Sequence, residues 1–164
     1  MQGGSDCTRK ITSIEDDVWL QIKLDKQMEQ EKEEIMGKQE IRAKRVPTPS
    51  RLFSRGVFIT NPKKMIFLSG TCSYQGGEIK EQTLDVYRNI DALLKEAGAT
   101  WGHVVRVLFF LRDIERDFEK FDEGRREFFQ EAGIKPPYPA STGVQARLVS
   151  DDFLLEMEVT AVID

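Results

Sequence analysis

Val104-Val105-Arg106-Val107-Leu108-Phe109-Phe110-Leu111 is an almost unbroken run of β-branched, leucine and aromatic residues. A short continuous apolar run of this composition suits a strand inside a sheet, covered on one face and packed against something on the other. Such a strand needs neighbours. Met65 to Ser69 (MIFLS), Val144 to Val149 and Leu154 to Ile163 read as further strands, the last alternating apolar positions with Glu156 and Glu158. Gly56 to Thr60 (GVFIT) precedes Asn61-Pro62-Lys63-Lys64, a turn-forming tetrad, so a β-hairpin with Met65 to Ser69 is expected.

Two helical patterns separate these strands. From Gln82 to Ala97, Val86, Ile90, Leu93, Leu94 and Ala97 recur at helical spacing, and Gly98 suits the C′ position. From about Asp117 to Ala132, Phe118, Phe121, Phe128 and Phe129 share one side before Gly133 and Pro136-Pro137 stop the helix. The order β-β-α-β-α-β-β predicts an α+β domain, a mixed sheet with both helices on one face. Along the first-quoted strand, Val105, Val107, Phe109 and Leu111 alternate against Val104, Leu108 and Phe110. Both faces are apolar, so an assembly that hides the second face is expected.

The N-terminal third differs. Ser13 to Arg45 is rich in Glu, Lys, Asp and Gln, with Val18, Ile22, Ile35 and Ile41 too sparse for a full core stripe. A helix capped by Ser13, with Glu15, Asp16 and Asp17 at its positive end, is one reading; a partly disordered extension is the other. Val46-Pro47-Thr48-Pro49-Ser50 ends it, which places an extension at 1–46 and a domain at 47–164.

At 164 residues the chain suits one globular domain with an appendage, and a net charge of −4 gives no electrostatic footprint for nucleic acid. Two cysteines without a CxxC, and a single histidine, argue against a disulfide framework or zinc site. No stretch reaches the ~18 apolar residues of a membrane span, and Met1 to Lys10 lack an apolar signal segment, so a cytoplasmic protein is expected. No Gly-rich phosphate cradle, HExxH or GxSxG pattern is present.

Read in order, five segments resemble the RidA (YjgF-like) family of reactive intermediate deaminases over residues 51 to 164. They are MIFLSG (Met65 to Gly70), QTLDVYRNIDALLKEAG (Gln82 to Gly98), VVRVLFFLRDI (Val104 to Ile114), FEKFDEGRREFF (Phe118 to Phe129) and ARLVSDDFLLEMEVTAV (Ala146 to Val162). The resemblance implies a chorismate-mutase-like fold, a homotrimer with clefts between subunits, and a small-molecule substrate with no cofactor or metal. The implied chemistry is hydrolysis of enamines and imines to 2-oxo acids and ammonia. A ribonuclease label also attaches to the family, but an acidic chain without a histidine pair gives it little physical backing.

By the same resemblance Glu156 matches the water-handling glutamate, and Ser69 and Gly70 match the strand end whose backbone approaches the ligand. Thr71, Tyr138, Ser141 and Thr142 complete the expected binding set. Phe53 stands where a pocket tyrosine is usual, and Arg55 at a glutamine position. Ala140, in Tyr138-Pro139-Ala140-Ser141-Thr142, is placed at the position of the guanidinium that clamps the substrate carboxylate. Arg55 either restores that anion contact or lies on the surface.

Each residue also has a structural reading. Glu156 is a general acid or base facing an intersubunit cleft, or a strand carboxylate paired with a nearby cation. Glu158 is exposed or paired with Arg106 or Arg147, Cys72 is a small buried filler or a thiol facing the cleft, and His103 opens its strand. The function expected is hydrolysis of an imine, enamine or enol-type carboxylic acid with Glu156 activating water. The alternative is an inactive trimeric metabolite-binding or protein-interaction module.

Overall fold

The computed structural model describes residues 18–26, 38–46 and 52–164. Cys7, the expected Ser13 cap and Pro47 to Ser50 lie outside the described residues. The chain divides into two compact units, Met1–Met36 and Gly37–Asp164. In the first, residues 18–26 form a helix, α1, with Val18, Trp19, Leu20, Ile22 and Leu24 exposed. In the second, β1 (Gln39–Glu40) pairs antiparallel with β2 (Val57–Phe58), tying the segment before the prolines to the one after them.

The main sheet comprises β3 (Lys64–Cys72), β4 (Val104–Leu111), β5 (Ala140–Gln145) and β6 (Leu155–Ile163), in the order β3-β6-β4-β5. β6 is antiparallel to both neighbours, and β4 runs parallel to β5. Helices α2 (Ile79–Glu96) and α3 (Ile114–Glu131) make the crossovers. Val86, Ile90 and Leu94 of α2 and Phe121, Phe128 and Phe129 of α3 share a core with Val107, Phe109, Leu111, Leu155, Met157, Val159 and Ala161. Phe109 stacks on Phe121 at 4.5 Å, and Gly143 leaves room for the Phe109 ring, which a Cβ there would meet at 2.3 Å. The α+β architecture with a mixed sheet is therefore as the sequence indicates.

Several local expectations differ from what is found. The hairpin between residues 56–60 and 65–69 does not form, because β3 takes β6 along its length while Val57–Phe58 joins β1. The turn residues are present, Asn61 having a positive φ of 50°, but the longer alternating strand is the better partner for β3. The strand expected at Val144 to Val149 lies earlier, at Ala140–Gln145, since its pairing with β4 starts as Pro139 ends. It is a largely exposed edge strand, so its side chains carry little apolar alternation. Leu93 is 46% exposed and Tyr87 takes its place in the core. Val104 is buried beside Val107 rather than on the opposite face, because the register with β6 shifts between Val104 and Arg106.

The sheet's second face carries Met65 and Phe67 from β3, Leu108 and Phe110 from β4, Val144 from β5 and Val162 from β6. Phe67 is 71% exposed there. Arg106 and Glu158 are exposed on the same face and border a depression of about 150 Å³ without an ion pair to each other.

Candidate active site

Antiparallel pairing sets Cys72 of β3 directly against Glu156 of β6, and Phe110 of β4 lies on the other side of the glutamate. All three therefore point to the sheet face away from the helices, since side chains of paired residues share a face. Between Leu68 and Thr71 the β3 register shifts, so Ser69 and Gly70 form a bulge beside β6. The Glu156 side chain lies across that bulge: a Cβ on Gly70 would stand 1.9 Å from Oε1. Gly70 thus admits the glutamate itself, where the sequence suggested a ligand.

As direct register partners, the Cys72 and Glu156 side chains lie side by side on this face. Burial first, and then the neighbouring Glu156 carboxylate, push the thiol up to about 11, so it stays protonated. Cys72 is the buried filler expected, but its register partner is the candidate catalytic group. Among the described residues no lysine or arginine pairs with Glu156, so the ion-paired reading of this carboxylate finds no partner. Nothing in the chain signals the Cys72–Glu156 contact before the register of β3 on β6 is known.

A cleft of about 530 Å³ opens between the loop after β3 and the loop before β6; its lining starts one residue past Cys72 and ends two residues before Glu156, and neither of those residues lines it. Tyr74 and Phe153 meet edge to face across it, with ring centroids 5.3 Å apart. Its walls are tied by Gln82, whose amide donates to the carbonyls of Gly77 (3.1 Å) and Asp152 (2.9 Å) and accepts from the Leu154 N–H (2.9 Å). Arg112 braces the same loop, donating to the carbonyls of Ser150 and Asp151.

The other expected site residues gather at the opposite end of the sheet. Ser54 bridges Ala140 at the outer edge of β5, which places Phe53 and Arg55 there. The Arg55 guanidinium sits over the Phe53 ring, 5.5 Å from its centroid. Tyr138 packs against Phe129 at 5.8 Å, on the core side, in keeping with a rigid turn. Ser141 and Thr142 pair with Val107 and Leu108. Ala140 is level with Thr160, four residues along β6 from Glu156 and two strands across. At roughly 3.3 Å per residue and about 4.8 Å per strand, Ala140 stands about 16 Å from Glu156 within one copy. Ser69 and Gly70 therefore join Glu156, whereas Thr71, paired with the core residue Met157, points to the other face, and Phe53, Arg55, Tyr138, Ser141 and Thr142 lie away from it.

Of the remaining candidates, His103 accepts from the Thr100 N–H through Nδ1 at 3.0 Å and caps the short 3-10 turn that opens β4. Glu158 and Arg147 are exposed, and Arg147 makes no ion pair among the described residues. No group of histidine, cysteine and carboxylate side chains placed to hold a metal occurs among the described residues. None of the described helices is long and apolar enough to cross a membrane.

The sequence profile described as Endoribonuclease L-PSP matches residues 43–163. The chain belongs to this RidA/YjgF-like family. A RutC family protein of Pyrococcus abyssi is 35% identical over 133 residues, 77% of this chain and 98% of its own. The 2-iminobutanoate/2-iminopropanoate deaminase of Dermatophagoides farinae is 27% identical over 125 residues, 72% of this chain and 91% of its own. Among solved structures, Escherichia coli TdcF with bound serine superposes with a TM-score of 0.56 at 25% identity, covering 77% of this chain and 99% of TdcF. Some members of the family are thus named as imine deaminases, and one holds a small amino acid.

Proposed function

We propose that this chain is a RidA-like hydrolase of the cytoplasm that converts an imine, enamine or enol-type carboxylic acid to the oxo acid, with Glu156 activating water. The observation that carries the reading is the Glu156 carboxylate itself. It is half-buried, free of any cationic partner among the described residues, and laid across the Gly70 bulge, two residues along the chain from the cleft wall at Leu154. In the proposed step Glu156 takes a proton from water as the oxygen adds to the C=N carbon. That proton passes to nitrogen to give a carbinolamine; its hydroxyl proton then moves by way of Glu156 to the amine, the C–N bond breaks, and ammonia leaves as the carbonyl forms.

The working site is completed by a second copy. One copy separates Glu156 from the Phe53, Arg55 and Tyr138 end by about 16 Å at ordinary strand spacings, too far for one small substrate. The exposed apolar face offers a surface on which copies can meet. We read the assembly as a homotrimer whose clefts pair the Glu156 end of one subunit with the Phe53–Thr142 end of the next. Ala140 leaves that second end without its usual guanidinium, and Arg55, one residue beyond the Ser54–Ala140 bridge, is the cation at hand. The native substrate is therefore one whose acid group needs less than a full bidentate clamp.

Imines freshly generated from several amino acids, incubated with purified protein while ammonia release is followed, test this reading. Accelerated release from at least one of them is expected. The missing clamp also favours a second reading, a metabolite-binding module without turnover. A carboxylic acid that raises the melting temperature, with no imine accelerated, supports that alternative.

A further inference from the structure

Cys72 has no part in the proton transfers of the proposed hydrolysis, yet its side chain stands directly across from Glu156 on the same sheet face. Resting on the reading of Glu156 as the water-handling group, we infer that Cys72 is a positioning residue. Its thiol fixes the carboxylate against the Gly70 bulge so that one oxygen stays directed at water and substrate.

Three observations support this. Strand register sets the two side chains side by side on one face, because Cys72 and Glu156 are direct partners across β3 and β6. Gly70 removes the Cβ that would otherwise fill the place of Oε1, so the carboxylate is held from the backbone side as well. Cys72 is only 6% exposed and remains a thiol well above neutral pH, so the donor is present whenever the enzyme works. A free glutamate side chain samples several rotamers, and a single donor on one oxygen restricts the directions in which the other can accept a water proton.

The test uses the full chain with Cys7→Ser, so that Cys72 is the sole thiol. Cys72→Ala is expected to lower kcat about tenfold with KM within about twofold, the effect of losing one hydrogen bond to a charged group. Cys72→Ser, which keeps a donor, restores most of that loss, while both variants melt within a few degrees of each other. Independently of activity, thiolate absorbance titrated against pH moves from a midpoint of about 11 to a lower one in Glu156→Gln, which removes the adjacent charge. Full kcat in Cys72→Ala, failure of serine to rescue, or an unmoved thiol midpoint in Glu156→Gln each overturns the inference. If Glu156→Gln turns over substrate normally, the proposed hydrolysis falls instead, and the thiol titration still reports on the contact.

Discussion

Gly70 and Glu156 compete for one volume: a Cβ on the glycine would lie 1.9 Å from the glutamate Oε1 and 2.8 Å from its carboxyl carbon. Gly70→Ala must therefore expel the carboxylate from its place on β3. Gly70 is exposed and not in the left-handed region, so the fold tolerates a methyl group there. Turnover is expected to drop at least tenfold while the unfolding free energy changes by less than about 1 kcal/mol. Paired kinetics and urea unfolding check this, and an active Gly70→Ala enzyme would show that the orientation of Glu156 is unimportant.

Asp122 on α3 is buried and accepts hydrogen bonds from both Arg125 and Arg126. Burial pushes its carboxyl up, but the two guanidiniums outweigh burial and hold it below the ordinary value. A carboxyl depressed in the folded state contributes stability that is present above its unfolded pKa and is lost as pH falls through the folded one. Stability should thus decline in acid, below about pH 3.9. Asp122→Asn leaves the buried Arg125, whose Nε already lacks a partner, without its counter-charge. A loss of about 3 kcal/mol at neutral pH is expected by urea unfolding, with a weaker acid dependence than the parent.

Gln82 is 1% exposed and joins the Gly77 and Asp152–Leu154 loops that wall the cleft. Gln82→Leu leaves those backbone groups unpaired, at a cost of about 2 kcal/mol. Hydrogen exchange is the direct readout. The Leu154 amide should exchange much faster in the variant, and unchanged protection there would mean that the loops are held by something else.

Phe67 sits 71% exposed on the edge strand β3, on the sheet face away from the helices. If copies meet on that face, Phe67→Glu keeps the circular dichroism of the parent yet shifts its light-scattering mass from an oligomer to a monomer. Because the site is proposed to need both ends of the sheet, the monomer should also lose turnover. A monomeric parent would refute the assembly.

The strands and helices were legible where a local pattern exists. The 104–111 run, the Val86–Ile90–Leu94 stripe and the Phe121–Phe128–Phe129 side all bury as their spacing indicates, and Gly98 and Gly133 take positive φ just past their helices. What could not be read depends on pairing between distant segments. Met65 to Ser69 lies near GVFIT in sequence but pairs with β6, and Ala140–Gln145 is a strand because β4 pairs with it. Asp122, Arg125 and Arg126, at helical spacing, look like a solvated charged face, yet Asp122 and Arg125 are buried. At the site, Glu156 and Gly70 stood out through the family resemblance, while Cys72 looked like filler because its partner is set only by strand register.

Activation of water by Glu156 underlies the whole proposed mechanism, and Glu156→Gln isolates it, since the amide keeps the shape but cannot accept the proton. The quantity to follow is the rate of ammonia release from whichever freshly generated imine the parent hydrolyses, with the variant shown to be folded and of the same mass. A fall of at least about a hundredfold, the usual contribution of a general base, is expected. Ammonia release from the variant as fast as from the parent would rule out Glu156 as the base.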